Sequence, residues 1–154
     1  IVPIKTRGNV AFFGAFGYEL DLNKLTEEEQ EEVKKQIAFM KEYRELFQFG
    51  TFYRLSSPFE NNVTAWMSVS EDKKTAIVGW YRVLNPVNGS YTRLKLCGLL
   101  EDAEYTVEGQ NGTFFGDELM NLGILTSDAT SGEAQEGQFK GCDFDSRLYI
   151  LKAK

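Results

Sequence analysis

Two carboxylate pairs are the first places where this chain could do chemistry. Glu19 and Asp21 lie two apart in Tyr18-Glu19-Leu20-Asp21-Leu22, and Asp143 and Asp145 lie two apart in Asp143-Phe144-Asp145. Paired carboxyl groups flanking a glycosidic bond can supply an acid and a nucleophile or base, at about 5 Å separation for retention and more for inversion. The chain has 23 acidic residues, so pairs at this spacing arise readily by chance. Glu19 and Asp21 also precede a helix start, where acids serve capping and dipole roles. Histidine is absent. That excludes Ser–His and Cys–His nucleophile systems, His-ligated zinc and the commonest general base. Any acid–base work falls to carboxylates or lysine.

Aromatic side chains offer a second chemistry, because sugar rings stack on flat aromatic faces. Trp66 shares a strand face with Ser68 and Ser70, and adjacent Trp80 and Tyr81 must point to opposite faces of their strand. The pattern permits a carbohydrate platform, but core or interface packing explains it more simply in a chain that is 14% aromatic. Cys97 and Cys142 are far apart and near no metal-ligand pattern, so they read as core or strand thiols rather than a disulfide framework. Asn62-Val63-Thr64, Asn88-Gly89-Ser90 and Asn111-Gly112-Thr113 match the glycosylation sequon and read as turns without a secretory context. Gly112, Gly116 and Gly123 form no phosphate-binding fingerprint. Neither a cofactor nor a metal is expected.

The elements that would position these residues fall into two halves. From Gly8 to Leu22 the chain is a glycine-punctuated apolar run, ambiguous between a buried strand and a buried helix around Val10-Ala11-Phe12-Phe13. Thr26 and Glu29 form a capping box opening a helix to about Phe47. Its glutamates precede its lysines and arginine, which complements the dipole. Val33, Ile37, Met40 and Phe47 form its apolar stripe, and Gly50 ends it. Beyond Thr51 the period becomes two. Val63 to Val69 is a half-buried strand, Glu71 to Lys74 a turn, and Thr75 to Leu84 a strand apolar on both faces. Asn85-Pro86 marks a loop, Arg93 to Leu96 alternate, Tyr105 to Val107 is a short strand, and Asn111-Gly112 is a turn before Thr113. Ser146 to Lys152 is the last strand. Short strands at this spacing predict an antiparallel β-sandwich.

Thr6 to Leu22 (TRGNVAFFGAFGYELDL), Lys41 to Leu55 (KEYRELFQFGTFYRL), Ser57 to Asn85, Gly116 to Gly123 (GDELMNLG) and Ser146 to Lys152 together resemble the C-terminal portion of bacterial α-galactosidases of glycoside hydrolase family 36. Lys5, where an acid is expected, and the Gly/Gln/Glu-rich insert Ala129 to Lys140 depart from the pattern. The resemblance implies a mainly β chain: residues 1–50 as the last βα unit of a (β/α)8 barrel, and residues 51–154 as a C-terminal antiparallel β-sandwich. It implies a parent enzyme that releases terminal α-galactose from melibiose- and raffinose-type oligosaccharides by a retaining route without a cofactor. The catalytic carboxylates would lie on earlier barrel strands, so no catalytic residue is assigned and this chain alone is expected to be inactive. The expected partners are an upstream barrel of the same protein and a second copy in a homo-oligomer, with a galactoside bound by the parent. The competing readings are a free-standing carbohydrate-binding β-sandwich, which needs Trp66, Trp80 and Tyr81 exposed, and a non-enzymatic adhesion domain.

A net charge of −6 argues against nucleic acid, which needs clustered Lys and Arg. No apolar run nears the roughly 20 residues of a membrane helix. The acidic balance fits a soluble cytoplasmic protein or one handling neutral substrates, and a cytoplasmic protein is expected. The apolar residues Val10, Phe12, Phe13 and Phe16, with Val33, Ile37 and Met40, must be covered by something. The expectation is that this segment packs on a second copy or an upstream chain, or else folds back on the sheet.

Overall fold

The computed structural model describes residues 2–84, 92–126 and 143–154. The expected loop at Asn85-Pro86, the sequon Asn88-Gly89-Ser90, the insert Ala129 to Lys140 and the thiol of Cys142 lie outside the described residues.

The architecture is mainly antiparallel β-sheet with a few helices. Helix α1 (Ile4–Ala11) and a 3-10 turn at Leu22–Lys24 lead into the long helix α2 (Glu27–Phe49). The strands are β1 (Thr51–Ser56), β2 (Val63–Val69), β3 (Thr75–Arg82), β4 (Arg93–Leu94), β5 (Glu104–Val107), β6 (Thr113–Phe115), β7 (Ile124–Leu125) and β8 (Asp145–Ala153), with helix α3 (Gly116–Asn121) after β6. Six strands form one sheet in the order β1-β2-β3-β8-β5-β6, and β4 pairs with β7 in a small ribbon.

Local chemistry explains most boundaries. The Thr26 hydroxyl accepts from Glu29 N and the Glu29 carboxylate accepts from Thr26 N, so both halves of the capping box are closed. At the far end Gly50 N–H donates to Leu46 O. Strand β2 covers Val63–Val69, the span read from its alternation. Every residue of β3 after Thr75 is buried, which fits a central strand with both faces covered.

Two expectations need correction. Among the described residues up to position 50 there is no strand, so the first half of the expected βα unit is helical. Pro3 precedes α1 and its carbonyl accepts from Arg7 N. Proline at a helix start loses no hydrogen bond that the helix would have made. Only Ile4, Val10 and Ala11 of this helix are apolar, and Val10 is exposed. The apolar run that is ambiguous between strand and helix in the sequence comes mostly from Phe12 and Phe13, which follow the helix and turn inward. The second correction concerns the sandwich. Its smaller sheet is, among the described residues, only the β4–β7 ribbon, and the opposite face of the large sheet is covered by α1 and α2.

The core lies between the large sheet and the ribbon. Ala65, Met67, Val69, Ala76, Val78, Trp80, Tyr105, Val107, Tyr149 and Leu151 from the sheet meet Leu94, Leu96, Leu99, Leu119 and Ile124. A fully buried side chain of this kind stabilises by about 1.5–3 kcal/mol relative to exposure. The helical segment sits on the other face, outside this core. Cys97 departs from the expected core or strand thiol, since it lies beyond the end of β4. It is exposed, because the alternation around it turns Leu94, Leu96 and Leu99 inward and leaves Lys95 and Cys97 outward.

Candidate functional site

The most developed feature beyond the core is the seam between the N-terminal helical segment and the large sheet. It begins with aromatic packing. The Phe12 ring lies 5.1 Å from Phe16, 4.8 Å from Phe39 and 5.9 Å from Phe47. Phe13 meets Phe47 edge-on at 5.0 Å and reaches the sheet, with Trp66 at 6.0 Å and Phe52 at 6.4 Å. Trp66 in turn lies 4.9 Å from Tyr81. Such pairs add about 0.5–1.5 kcal/mol each beyond the area they bury.

Gly79 makes room for this contact. A Cβ there would collide with the Tyr81 ring and sit 2.9 Å from Phe13 Cε2. The missing side chain leaves a slot on β3 that the two rings fill. Glycine within a strand often marks such a close approach.

Polar bonds fix the register of the segment on the sheet. The Tyr81 hydroxyl donates to Asn9 O at 2.7 Å, and Asn9 Nδ2 donates to Ser146 Oγ at 3.0 Å. Thr6 Oγ1 lies 2.8 Å from Ser146 Oγ and donates to Phe144 O at 2.9 Å. Thr6 and Asn9 are three apart and share a face of α1. On the helix side, buried Gln36 accepts from the Tyr18 hydroxyl at 2.6 Å and donates to Ile4 O at 3.3 Å. The buried hydroxyl of Ser68 donates to Leu46 O at 2.9 Å, which ties the end of α2 to β2. Burial pushes the Tyr81 phenol well above the ordinary tyrosine range, and the neighbouring Trp66 indole N–H only partly offsets this. Burial, then the Glu32 carboxylate, raises Tyr18 as well.

A second polar cluster lies on the sheet's other face. Asp145 is 6% exposed and its Oδ2 lies 3.5 Å from Arg82 Nη2 and 3.4 Å from Arg147 Nη2. Both guanidinium carbons are 5.2 Å from the Trp80 ring centre. Arg147 also donates to Thr126 O at 3.2 Å.

The residues singled out from sequence therefore have structural occupations. Asp21 caps the 3-10 turn by accepting from Asn23 N, and Glu19 is exposed nearby. Asp145 is held between two arginines, while Asp143 is exposed. Trp80 is 3% and Tyr81 7% exposed, and Trp66 is partly buried beneath Phe13 and Phe52. These three are covered, which removes the outward platform that a sugar-binding module needs. Asn62 clamps the main chain of Leu84 through its side-chain amide, and Asn111 lies exposed in a turn. The seven apolar residues expected to need cover are treated unevenly. Phe12, Val33 and Met40 are buried by folding back on the chain, while Val10 and Ile37 stay partly open. Sequence reading missed Thr6, Asn9, Gln36, Arg82 and Ser146, polar residues whose partners are remote in the chain. Gly79 alone carried a local signal, as a glycine inside an apolar strand.

The model for the glycosyl hydrolase family 36 C-terminal domain matches residues 63–151, and the melibiase model matches residues 1–50. The chain belongs to glycosyl hydrolase family 36. The family's α-galactosidase AgaA from Geobacillus stearothermophilus is 46% identical over 153 residues, which is 99% of this chain and 19% of that protein. Alpha-galactosidase Mel36A from Lactobacillus acidophilus is 44% identical, with the same two shares. The solved structure of AgaA in complex with raffinose superposes with a TM-score of 0.89 at 45% identity, covering 100% of this chain and 20% of that one. The α-galactosidase from Lactobacillus brevis gives a TM-score of 0.88 at 46% identity with the same coverage. The chain thus spans about a fifth of the length of the family members it matches. Among its described residues no helix is long and apolar enough to cross a membrane.

Proposed function

We propose that this chain is the C-terminal accessory region of an α-galactosidase, in which the sheet braces the segment that ends the catalytic barrel. The division at about residue 50, with a barrel-terminal part before it and the β-domain after it, belongs to the same reading. So do an upstream barrel as intramolecular partner, a cytoplasmic location and assembly into a homo-oligomer. The parent enzyme would release terminal α-galactosyl residues from oligosaccharides of the raffinose type with retention, using carboxylates outside this chain.

The observation that supports this is the seam. Phe13 seated over Gly79, the Tyr81–Asn9 bond and the shared Ser146 hydroxyl hold the helical segment in one register on the sheet. A brace needs this kind of fixed, mostly apolar contact, and one carboxylate of each pair is already engaged, Asp21 in a cap and Asp145 between two arginines. The experiment has two arms. The purified chain should leave an aryl α-galactoside unhydrolysed, and turnover that survives removal of trace host enzyme would overturn the reading. In the complete enzyme, Tyr81→Phe should lower heat resistance and leave kcat/KM unchanged at temperatures where the protein is folded. A fall in kcat/KM under those conditions would place the seam within the chemistry.

A further inference from the structure

The turn between β5 and β6 carries a reactive dipeptide that none of the packing above uses. Asn111 and Gly112 are both exposed. Gly112 has a φ of +91°, and apart from its two chain neighbours no residue comes within 4 Å of the position that a Cβ on it would occupy. The turn is closed on its other side by Gln110 N–H donating to Val107 O at 3.0 Å. Among the described residues no hydrogen bond engages the Asn111 side chain.

We propose that Asn111–Gly112 is a site of spontaneous deamidation and isoaspartate formation. The Gly112 backbone nitrogen attacks Asn111 Cγ. The new N–Cγ bond closes a five-membered succinimide, and the side-chain amide leaves as ammonia with the proton lost by Gly112. Water then opens the ring at one of its two carbonyls. One opening gives aspartate and the other isoaspartate, in which the main chain runs through the side-chain carbon. No electrons are transferred, and water is the only co-reactant. Glycine is the favourable successor because it lacks the Cβ that otherwise hinders the approach, and it is the most conformationally permissive residue. Asparagine is among the thermolabile side chains for this reason.

The other asparagines in the described residues lack this combination. Asn23 is followed by Lys24 and its side-chain amide donates to Asp21 Oδ1 at 3.1 Å. Asn62 is followed by Val63 and its amide is engaged by Leu84. Asn61 accepts from Val63 N at 2.7 Å. Asn121 is held at the end of α3 by its bond to Asp117 O at 2.9 Å. Asn9 is buried and bonded to Ser146. The product places a new carboxylate in the connection between β5 and the edge strand β6. The isoaspartate formed from Asn111 would also carry a carboxyl of the class that isoaspartyl methyltransferases accept.

The test is incubation of the folded chain at mildly alkaline pH and body temperature, followed by peptide mapping. The peptide containing Asn111 should gain roughly one dalton and split into aspartyl and isoaspartyl isomers, an order of magnitude faster than peptides containing Asn62 or Asn121. Isoaspartyl methyltransferase with labelled S-adenosylmethionine should label that peptide. Asn111→Gln should abolish the product while the thermal melt stays that of the parent. The proposal is overturned if Asn111 stays intact in the folded chain over a period in which urea-unfolded chain converts. It is equally overturned if Asn111 converts no faster than Asn62 or Asn121.

Discussion

Removing one hydroxyl tests whether the seam is dry and fixed. Tyr81→Phe keeps the ring, and with it the contacts to Trp66 and the fill over Gly79. It deletes the donor to Asn9 O at 2.7 Å. That carbonyl lies in the last turn of α1, where backbone acceptors have no partner within the helix. The tyrosine of the sheet therefore satisfies a helix end. Leaving a buried acceptor unpaired costs about 1–3 kcal/mol. For a chain of this size each kcal/mol moves the melting temperature by roughly 2–4 °C, so a fall of about 6 °C is expected. Urea unfolding at neutral pH measures it as a lower midpoint at unchanged slope. The pH dependence gives a second readout. The folded-state pKa of Tyr81 is raised, so its contribution is complete below the unfolded tyrosine value of about 10 and is lost as pH rises above it. Tyr18 and Tyr43 shift in the same direction, so Tyr81→Phe should shallow the alkaline decline without abolishing it. A variant within about 0.5 kcal/mol of the parent, the range of ordinary surface changes, would refute the reasoning. It would mean that water serves the Asn9 carbonyl.

Three further outcomes follow from the same geometry. Gly79→Ala should cost about 1–3 kcal/mol through overpacking against Tyr81 and Phe13, seen as a lower melting temperature and altered near-UV circular dichroism. Gly14→Ala is its control, because a Cβ at Gly14 meets nothing within 4 Å. Asp145→Ala should cost about 3–5 kcal/mol, as expected when a buried charge partner is removed, and urea unfolding would record it. Thr26→Ala should cost about 1 kcal/mol by opening one half of the capping box, measurable as a lower urea midpoint.

What the sequence disclosed depended on how far apart the interacting residues lie. The capping box at Thr26 and Glu29 and the alternation from Val63 to Val69 are local, and they are found where sequence reading put them. Helix α1 was less legible because its anchors, Thr6 and Asn9, bond to Ser146 well over a hundred residues away. The same distance hid the role of Asp145, whose partner Arg82 sits across the β3–β8 ladder. Ser68 and Ser70 suggested a wet face for Trp66. Yet Ser68 is buried and its hydroxyl is spent on Leu46 O, so that face is dry around the indole. Trp66, Trp80 and Tyr81 are covered, as core or interface packing predicts, Trp80 by the core and the other two by the seam.

The position of β8 also bears on how the chain can be made. This strand is the last of those described, yet it stands in the middle of the sheet, between β3 and β5. It also carries Ser146, the hydroxyl on which α1 is fastened. While the polypeptide leaves the ribosome, β1 to β3 can zip as a meander and β5 to β6 as a hairpin, but the two halves have no common edge. Helix α1 leaves the ribosome before any of these strands and must wait until β8 is made before its anchor exists. Contacts this remote in sequence slow folding. A nascent chain stalled before β8 would hold two unfinished sheet edges and an undocked helix, a target for chaperones and proteases rather than a partly working domain.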